Sequence, residues 1–134
     1  MDASRPDHPF TVRKIGVNVL QVKVEHEVEL TESHVDELHR SNFEAAGGNP
    51  YAILVEKTNH YSYSFDALCR LLDQPLLFAM AFYLGSESQR ASVETLLAFS
   101  AKTRKFPTAI FTSRREALAW LTQHGAEVEQ AMLS

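Results

Sequence analysis

The stretch Tyr51-Ala-Ile-Leu-Val55, entered directly from Gly47-Gly48-Asn49-Pro50, decides the fold of this chain. An apolar run of this length is too short for a helix, and it lacks the polar alternation of a strand with one wet face. It predicts a strand covered on both sides, as in a parallel sheet with helices above and below. Toward the C-terminus, Leu76 to Gly85 (LLFAMAFYLG) repeats the pattern, and FPTAIFT, ending at Thr112, repeats it again. Pro107 near the start of this third run predicts a place at a sheet edge, because proline cannot donate to a ladder.

The segments between these strands have helical spacing. Phe65, Leu68, Leu71 and Leu72 predict a short helix that Gln74 and Pro75 end, with Cys69 beside Leu68 on the inner face as a buried, inert thiol. Ser88 to Thr103 predicts a second helix through Val93, Leu96, Leu97 and Ser100, with Lys102, Arg104 and Lys105 at its C-terminal end, where cations suit the dipole. Ser113 with Glu116 three residues on is a capping box for a last helix carrying Ala117, Leu118, Trp120 and Leu121, with Gly125 as its C′ residue. On the N-terminal side, Thr31 caps a helix in which Val35, Leu38, Asn42 and Ala45 recur. Before it, FTVRKIGVNVLQVKV, Phe10 to Val24, reads as a hairpin turning near Gly16 or Asn18.

The resulting order, ββαβαβαβα, predicts an α/β fold with a mixed, mainly parallel sheet, right-handed crossovers and an N-terminal antiparallel hairpin strand. Residues 1–9, with two prolines and almost nothing apolar, are expected to be flexible. Residues 10–124 are expected to form one domain, and 125–134 a C-terminal tail.

The chain has 134 residues, a formal net charge of -4 and one cysteine. A length of this order supports one core without a metal or disulfide staple. The lone cysteine and the lack of an apolar leader point to a cytoplasmic protein, and no apolar run is long enough to span a membrane. An acidic balance argues against a protein whose main partner is nucleic acid, since phosphate neutralisation needs a basic face.

The segment Lys102 to Leu121, KTRKFPTAIFTSRREALAWL, resembles the C-terminal signature of small bacterial proteins related to the STAS domain, the fold of anti-sigma-factor antagonists of the SpoIIAA type. In that group the strand ends in a phrase much like PTRLFTSEEEALAWL. Here Pro107, Thr108, Phe111, Thr112, Ala117, Leu118, Ala119, Trp120 and Leu121 match it. The resemblance extends by element order over roughly 10–124 and implies a regulatory, non-enzymatic role with a protein partner, an anti-sigma-like factor or a kinase. In sigma-regulating members, an Asp-Ser-Ser or Asp-Ser-Thr motif before the second helix carries a phosphorylated serine or threonine. Setting Glu56 at the acidic end of the strand and Leu68 on the first helical leucine lays Ser64, Phe65 and Asp66 over that motif. In this register the acceptor is replaced: Ser64 becomes a helix N-cap with Asp66 near the positive end, or a shifted register leaves Ser62 or Ser64 as the phosphoacceptor.

The residues themselves point to one loop. His60, Tyr61, Ser62, Tyr63 and Ser64, with Glu56 and Asp66 on either side, leave the C-terminal end of the first parallel strand, where open α/β sheets bind ligands. They form a polar and aromatic rim for a partner or small ligand, or simply a well-capped turn. His34 and His39 are five apart and do not stack on one helical face, His26 and His124 belong to other elements, and no HExxH occurs, so neither metal nor cofactor is expected. GxSxG, Walker and GxGxxG motifs are lacking, so an enzyme ranks third. Acidic residues crowd Glu25 to Glu44, and basic ones crowd Lys102 to Arg115. Such patches are usually solvated faces, but they also suit a homodimer or a charged partner. Arg114 and Arg115 stand in the first turn of the last helix, against the dipole, which marks them as a candidate contact with a phosphate or carboxylate. The expectation is a protein-interaction module working through the Glu56 to Asp66 loop. The alternative is a carrier of a small apolar ligand or lipid, with LLFAMAFYL bordering its pocket.

Overall fold

A computed structural model describes residues 9–24, 29–57 and 62–133. Strands β1 (Phe10–Lys14) and β2 (Val19–Val24) form the antiparallel hairpin, closed by Ile15 N–H donating to Val19 O at 3.0 Å. Strands β4 (Tyr51–Lys57), β6 (Leu77–Leu84) and β7 (Thr108–Phe111) continue it as parallel neighbours in the order β1-β2-β4-β6-β7. This is a mixed α/β sheet with β7 at an edge, as Pro107 predicts. Two elements were not expected. β3 (Glu29–Leu30) and β5 (Ser62–Tyr63) pair in parallel as a small separate sheet, extended by Ser64 N–H donating to Leu30 O at 2.9 Å. Two-residue strands carry no hydrophobic period, so Ser62 and Tyr63 read as loop.

Helices α1 (Glu32–Ala45), α2 (Phe65–Leu71) and α3 (Arg90–Phe99) cover one face, and α4 (Arg114–Gln123) covers the other. Alternation along the strands sorts the core. Leu20, Ile53, Val55, Met80 and Phe82 meet α1 to α3, whereas Val19, Ala52, Leu54, Ala79 and Ala81 meet α4. The three alanines have no exposed surface, and their small side chains allow Ala117, Leu118 and Leu121 of α4 to lie close to the sheet. β6 is buried at six of its eight positions, and its first residue, Leu77, lines a cleft beside α2 and α3.

Local chemistry sets the helix ends. Thr31 N–H donates to His34 Nδ1 at 3.1 Å, so a histidine fills the place that glutamate or glutamine takes in a capping box. The Ser113 hydroxyl accepts from Glu116 N–H at 3.3 Å, and Gly125, at φ 106°, closes α4. The α3 segment begins later than its periodicity suggests. A 3-10 turn, Glu87–Gln89, precedes it, drawn tight where the buried Gln89 side chain accepts from Gly85 N–H at 3.1 Å. At the other end, Arg104 Nη1 donates to Leu97 O at 2.9 Å and Ser100 Oγ at 2.8 Å, a cation on the last carbonyls.

The segment after α4 is docked. Val128 bridges Gly16, Val17 N–H donates to Glu127 O, Glu129 N–H donates to Ile15 O, and Ala126 is buried. Residues 1–8, the bulk of the predicted flexible start, lie outside the described residues.

Candidate functional site

The residues singled out in the Glu56 to Asp66 loop divide between two places. His60 and Tyr61 lie outside the described residues. Ser62, Tyr63, Ser64 and Asp66 come together where β5 turns into α2. Ser64 is the N-cap of α2, its hydroxyl accepting from Ala67 N–H at 3.2 Å, and Asp66 is the acid of the first turn. Ser62 is exposed and Tyr63 half-buried. Glu56 is set apart from this group. It sits in β4 beside Lys23 and Tyr83, and strand alternation directs it to the α4 face with Ala52 and Leu54.

The basic pair also separates. Arg114 is taken up within the chain, Nη1 donating to Met132 O at 3.1 Å and Nη2 to Gln21 Oε1 at 2.9 Å, so it ties the C-terminal segment to β2. Arg115 is exposed. Both lie on the sheet face opposite α2.

Packing adds residues to the α2 surface that periodicity assigned elsewhere. Phe65, expected in the inner stripe, is 69% exposed, and Cys69, expected buried, is exposed as well. The reason is that α2 buries the Ala67 and Leu71 face, and Cys69 is about 200° around the helix from Ala67. Phe65 meets Phe99 of α3 edge to face, ring centroids 6.0 Å apart, and Phe99 is itself 49% exposed. Phe99 lies off the Val93, Leu96, Ser100 stripe, a signal that the sequence does contain. Toward the C-terminal ends of α2 and α3 the two helices part around a cleft of about 530 Å³, lined by Leu68, Cys69, Leu72, Phe99, Arg104 and Phe106 among others.

α1 closes the other flank of α2. Arg70 pairs with Glu32 at 3.1 Å and Asp36 at 2.6 Å, and His39 Nε2 donates to Leu71 O at 2.9 Å. Beneath them is a buried polar cluster. Gln74 Oε1 accepts from Asn42 Nδ2 at 3.0 Å and from the Tyr51 hydroxyl, while Gln74 Nε2 donates to Leu71 O at 3.2 Å. Burial pushes the Tyr51 hydroxyl up to about 12. At the opposite end of β4, burial draws the Lys57 ammonium down to about 8. Among the described residues, no three His, Cys, Asp or Glu side chains are grouped to hold a metal, and no helix is long and apolar enough to cross a membrane.

His34 and His39 are thus accounted for by the cap and the α1 to α2 contact. His124 Nδ1 donates to Trp120 O at 2.9 Å, its ring 4.1 Å from the Trp120 ring. No curated protein and no solved structure matches this chain. A family model, described as Domain of unknown function (DUF7793), matches residues 14–125, from the end of β1 to the glycine that closes α4, and the chain belongs to that family.

Proposed function

We propose that this domain is a non-enzymatic, regulatory protein-interaction module of the STAS-like, anti-sigma-factor-antagonist type, with β5 and the first turn of α2 as its working surface. The observation that carries the reading is Phe65. A phenylalanine 69% exposed on the first helical turn, braced by Phe99 and adjoining Ser62, Ser64 and Asp66, forgoes about 1.5–3 kcal/mol of burial that a partner can recover. Ser62, exposed next to the Ser64 cap, is the more accessible hydroxyl for a regulating kinase, since the Ser64 oxygen already holds Ala67 N–H. An anti-sigma-like factor or its kinase is the partner class that the STAS resemblance suggests.

The test is tagged capture from the native cells with three forms of the full chain: unaltered, Phe65→Asp and Val17→Asp. Val17, 70% exposed on the hairpin turn, serves as a control far from α2. A protein held stoichiometrically by the unaltered and Val17→Asp chains, and lost with Phe65→Asp, is the expected result. A stoichiometric small molecule instead, or a partner indifferent to Phe65, would sink the reading. Phosphorylation at Ser62 or Ser64 that leaves binding unchanged would remove the switch.

A further inference from the structure

The cleft beside α2 has apolar walls and cations among its lining residues. Leu68 and Leu72 line it from α2 and its C-cap, Phe106 from the segment that leads into β7, and Leu77 from the start of β6. Leu72 is 8% exposed and Leu77 5%, so the cleft reaches inward as far as the sheet. Its volume, about 530 Å³, falls within the range of about 300–1,000 Å³ that small ligands occupy.

Arg104 and Lys105 line the same cleft. Arg104 is half-buried and pre-set: Nη1 donates to Leu97 O at 2.9 Å and to Ser100 Oγ at 2.8 Å, which uses both hydrogens of that nitrogen. The anchor is itself fixed, since Ser100 is buried and its hydroxyl donates to Leu96 O at 3.2 Å. The Nε and Nη2 edge of Arg104 has no partner among the described residues. That edge is the side-on fork that grips a carboxylate with two parallel bonds, and Arg90 uses it on Glu87 in this same chain, at 2.8 and 2.9 Å. Lys105 is exposed and likewise unpaired among the described residues. Asp73, the acid of the cleft, is exposed and lies in the field of Arg70, whose guanidinium is raised by the Glu32 hydrogen bond, by Asp36 and, more weakly, by Asp73.

We infer that this cleft binds a small apolar monocarboxylate, an acyl or aryl acid, with its carboxylate on the Nε and Nη2 edge of Arg104, Lys105 beside it, and its hydrocarbon body against Leu68, Leu72, Leu77 and Phe106. A compact anion such as phosphate leaves the apolar walls wet, and a neutral hydrocarbon leaves the guanidinium fork unpaired. An apolar acid satisfies both. Because Arg104 is already held by Leu97 O and Ser100 Oγ, little side-chain entropy is lost when it meets the carboxylate. Phe99 lines the cleft and braces Phe65, so the bound acid adjoins the α2 surface across one ring. The inference does not rest on reading that surface as a partner contact. Held by one fork in a cleft open to solvent, the acid exchanges freely, so its occupancy and partner capture through Phe65 are read separately.

Cys69, the one cysteine of the chain, is exposed and lines the cleft, so its alkylation by iodoacetamide reports occupancy. The full chain is titrated at constant ionic strength with sodium octanoate and, separately, with octanamide, which keeps the shape and lacks the charge; N-acetylcysteine in the same solution corrects for any effect on the reagent. Octanoate should slow alkylation saturably, half-saturating at about 10 mM or below, and octanamide should bind about tenfold more weakly. Arg104→Met should weaken octanoate about tenfold and leave octanamide unchanged. Lys105→Glu, at an exposed position, should weaken octanoate severalfold, and it decides the matter alone if the Arg104 variant loses the end of α3. No protection by octanoate, equal protection by acid and amide, or an octanoate affinity indifferent to both substitutions would overturn the inference.

Discussion

Replacing Gly16 by alanine tests whether the segment after α4 is part of the folded unit. A Cβ on Gly16 overlaps the carbonyl oxygen of Glu127 and falls 2.7 Å from Val19 Cγ1 and 2.9 Å from the Glu127 carbonyl carbon. Val19 is fully buried and stiff at χ1, so it yields only by a small shift, and the backbone of Glu127 can only retreat. Retreat removes the bonds from Val17 N–H to Glu127 O and from Glu129 N–H to Ile15 O, both 2.9 Å, and strains the clamp of Asn18 Oδ1 on Glu127 N–H at 2.8 Å. At about 0.5–1.5 kcal/mol for each lost bond, with about 0.8 kcal/mol for re-exposing Ala126, the expected cost is about 2–4 kcal/mol. Urea denaturation followed by Trp120 fluorescence measures it, as a lower midpoint with little change of slope. The decisive comparison is a chain ending at residue 125. There the substitution meets no Glu127 and only the Val19 contact remains, so its cost should fall by the share owed to Glu127, giving a coupling energy of the sign that contact predicts. An equal cost in both chains, or no cost in the full one, would refute the argument.

Four further predictions concern the core and caps. Burial draws the Lys57 ammonium down to about 8, so below that pH the folded state holds a charge it disfavours; stability should rise from about pH 8 toward 10, and Lys57→Met should flatten the rise in urea titrations. Tyr51, pushed up to about 12, has the opposite sign: the unfolded chain ionises first, so stability should fall between about pH 10 and 12, a fall that Tyr51→Phe removes. In the polar cluster, Gln74→Leu should cost about 2–4 kcal/mol because it orphans the Tyr51 hydroxyl and Asn42 Nδ2 together; Tyr51→Phe, which leaves Gln74 bonded to Asn42, should cost about 1 kcal/mol by the same denaturation assay. Ser64→Ala removes the α2 cap and should cost about 1 kcal/mol, whereas Ser62→Ala, at an exposed position, should be within about 0.5 kcal/mol of neutral.

Long elements were legible because their signals are local. The apolar runs at Tyr51 to Val55 and Leu76 to Leu84, the glycine and proline breaks and the caps at Thr31, Ser64 and Ser113 depend on neighbours a few residues away, and each became the expected element. Short or shared features were not legible. β3 and β5 exist only because Glu29–Leu30 and Ser62–Tyr63 meet across more than thirty residues, and α2 turned Phe65 and Cys69 outward because seven residues bury only one narrow face.

The candidate site shows the same division. That a polar, aromatic segment follows the first parallel strand, with a serine at the helix start, was determined by the sequence alone. Which of its residues stand together was decided by tertiary structure. The pleat sends Glu56 to the α4 face, Arg114 is consumed by Met132 and Gln21, and Phe65 finds Phe99 thirty-four residues on. The physical reason is range. Hydrophobic period and capping chemistry act along the chain over a turn or two, whereas exposure is set by whatever distant element covers a side chain. On this molecule the α2 to α3 gap leaves two phenylalanines uncovered, and no local pattern could show it.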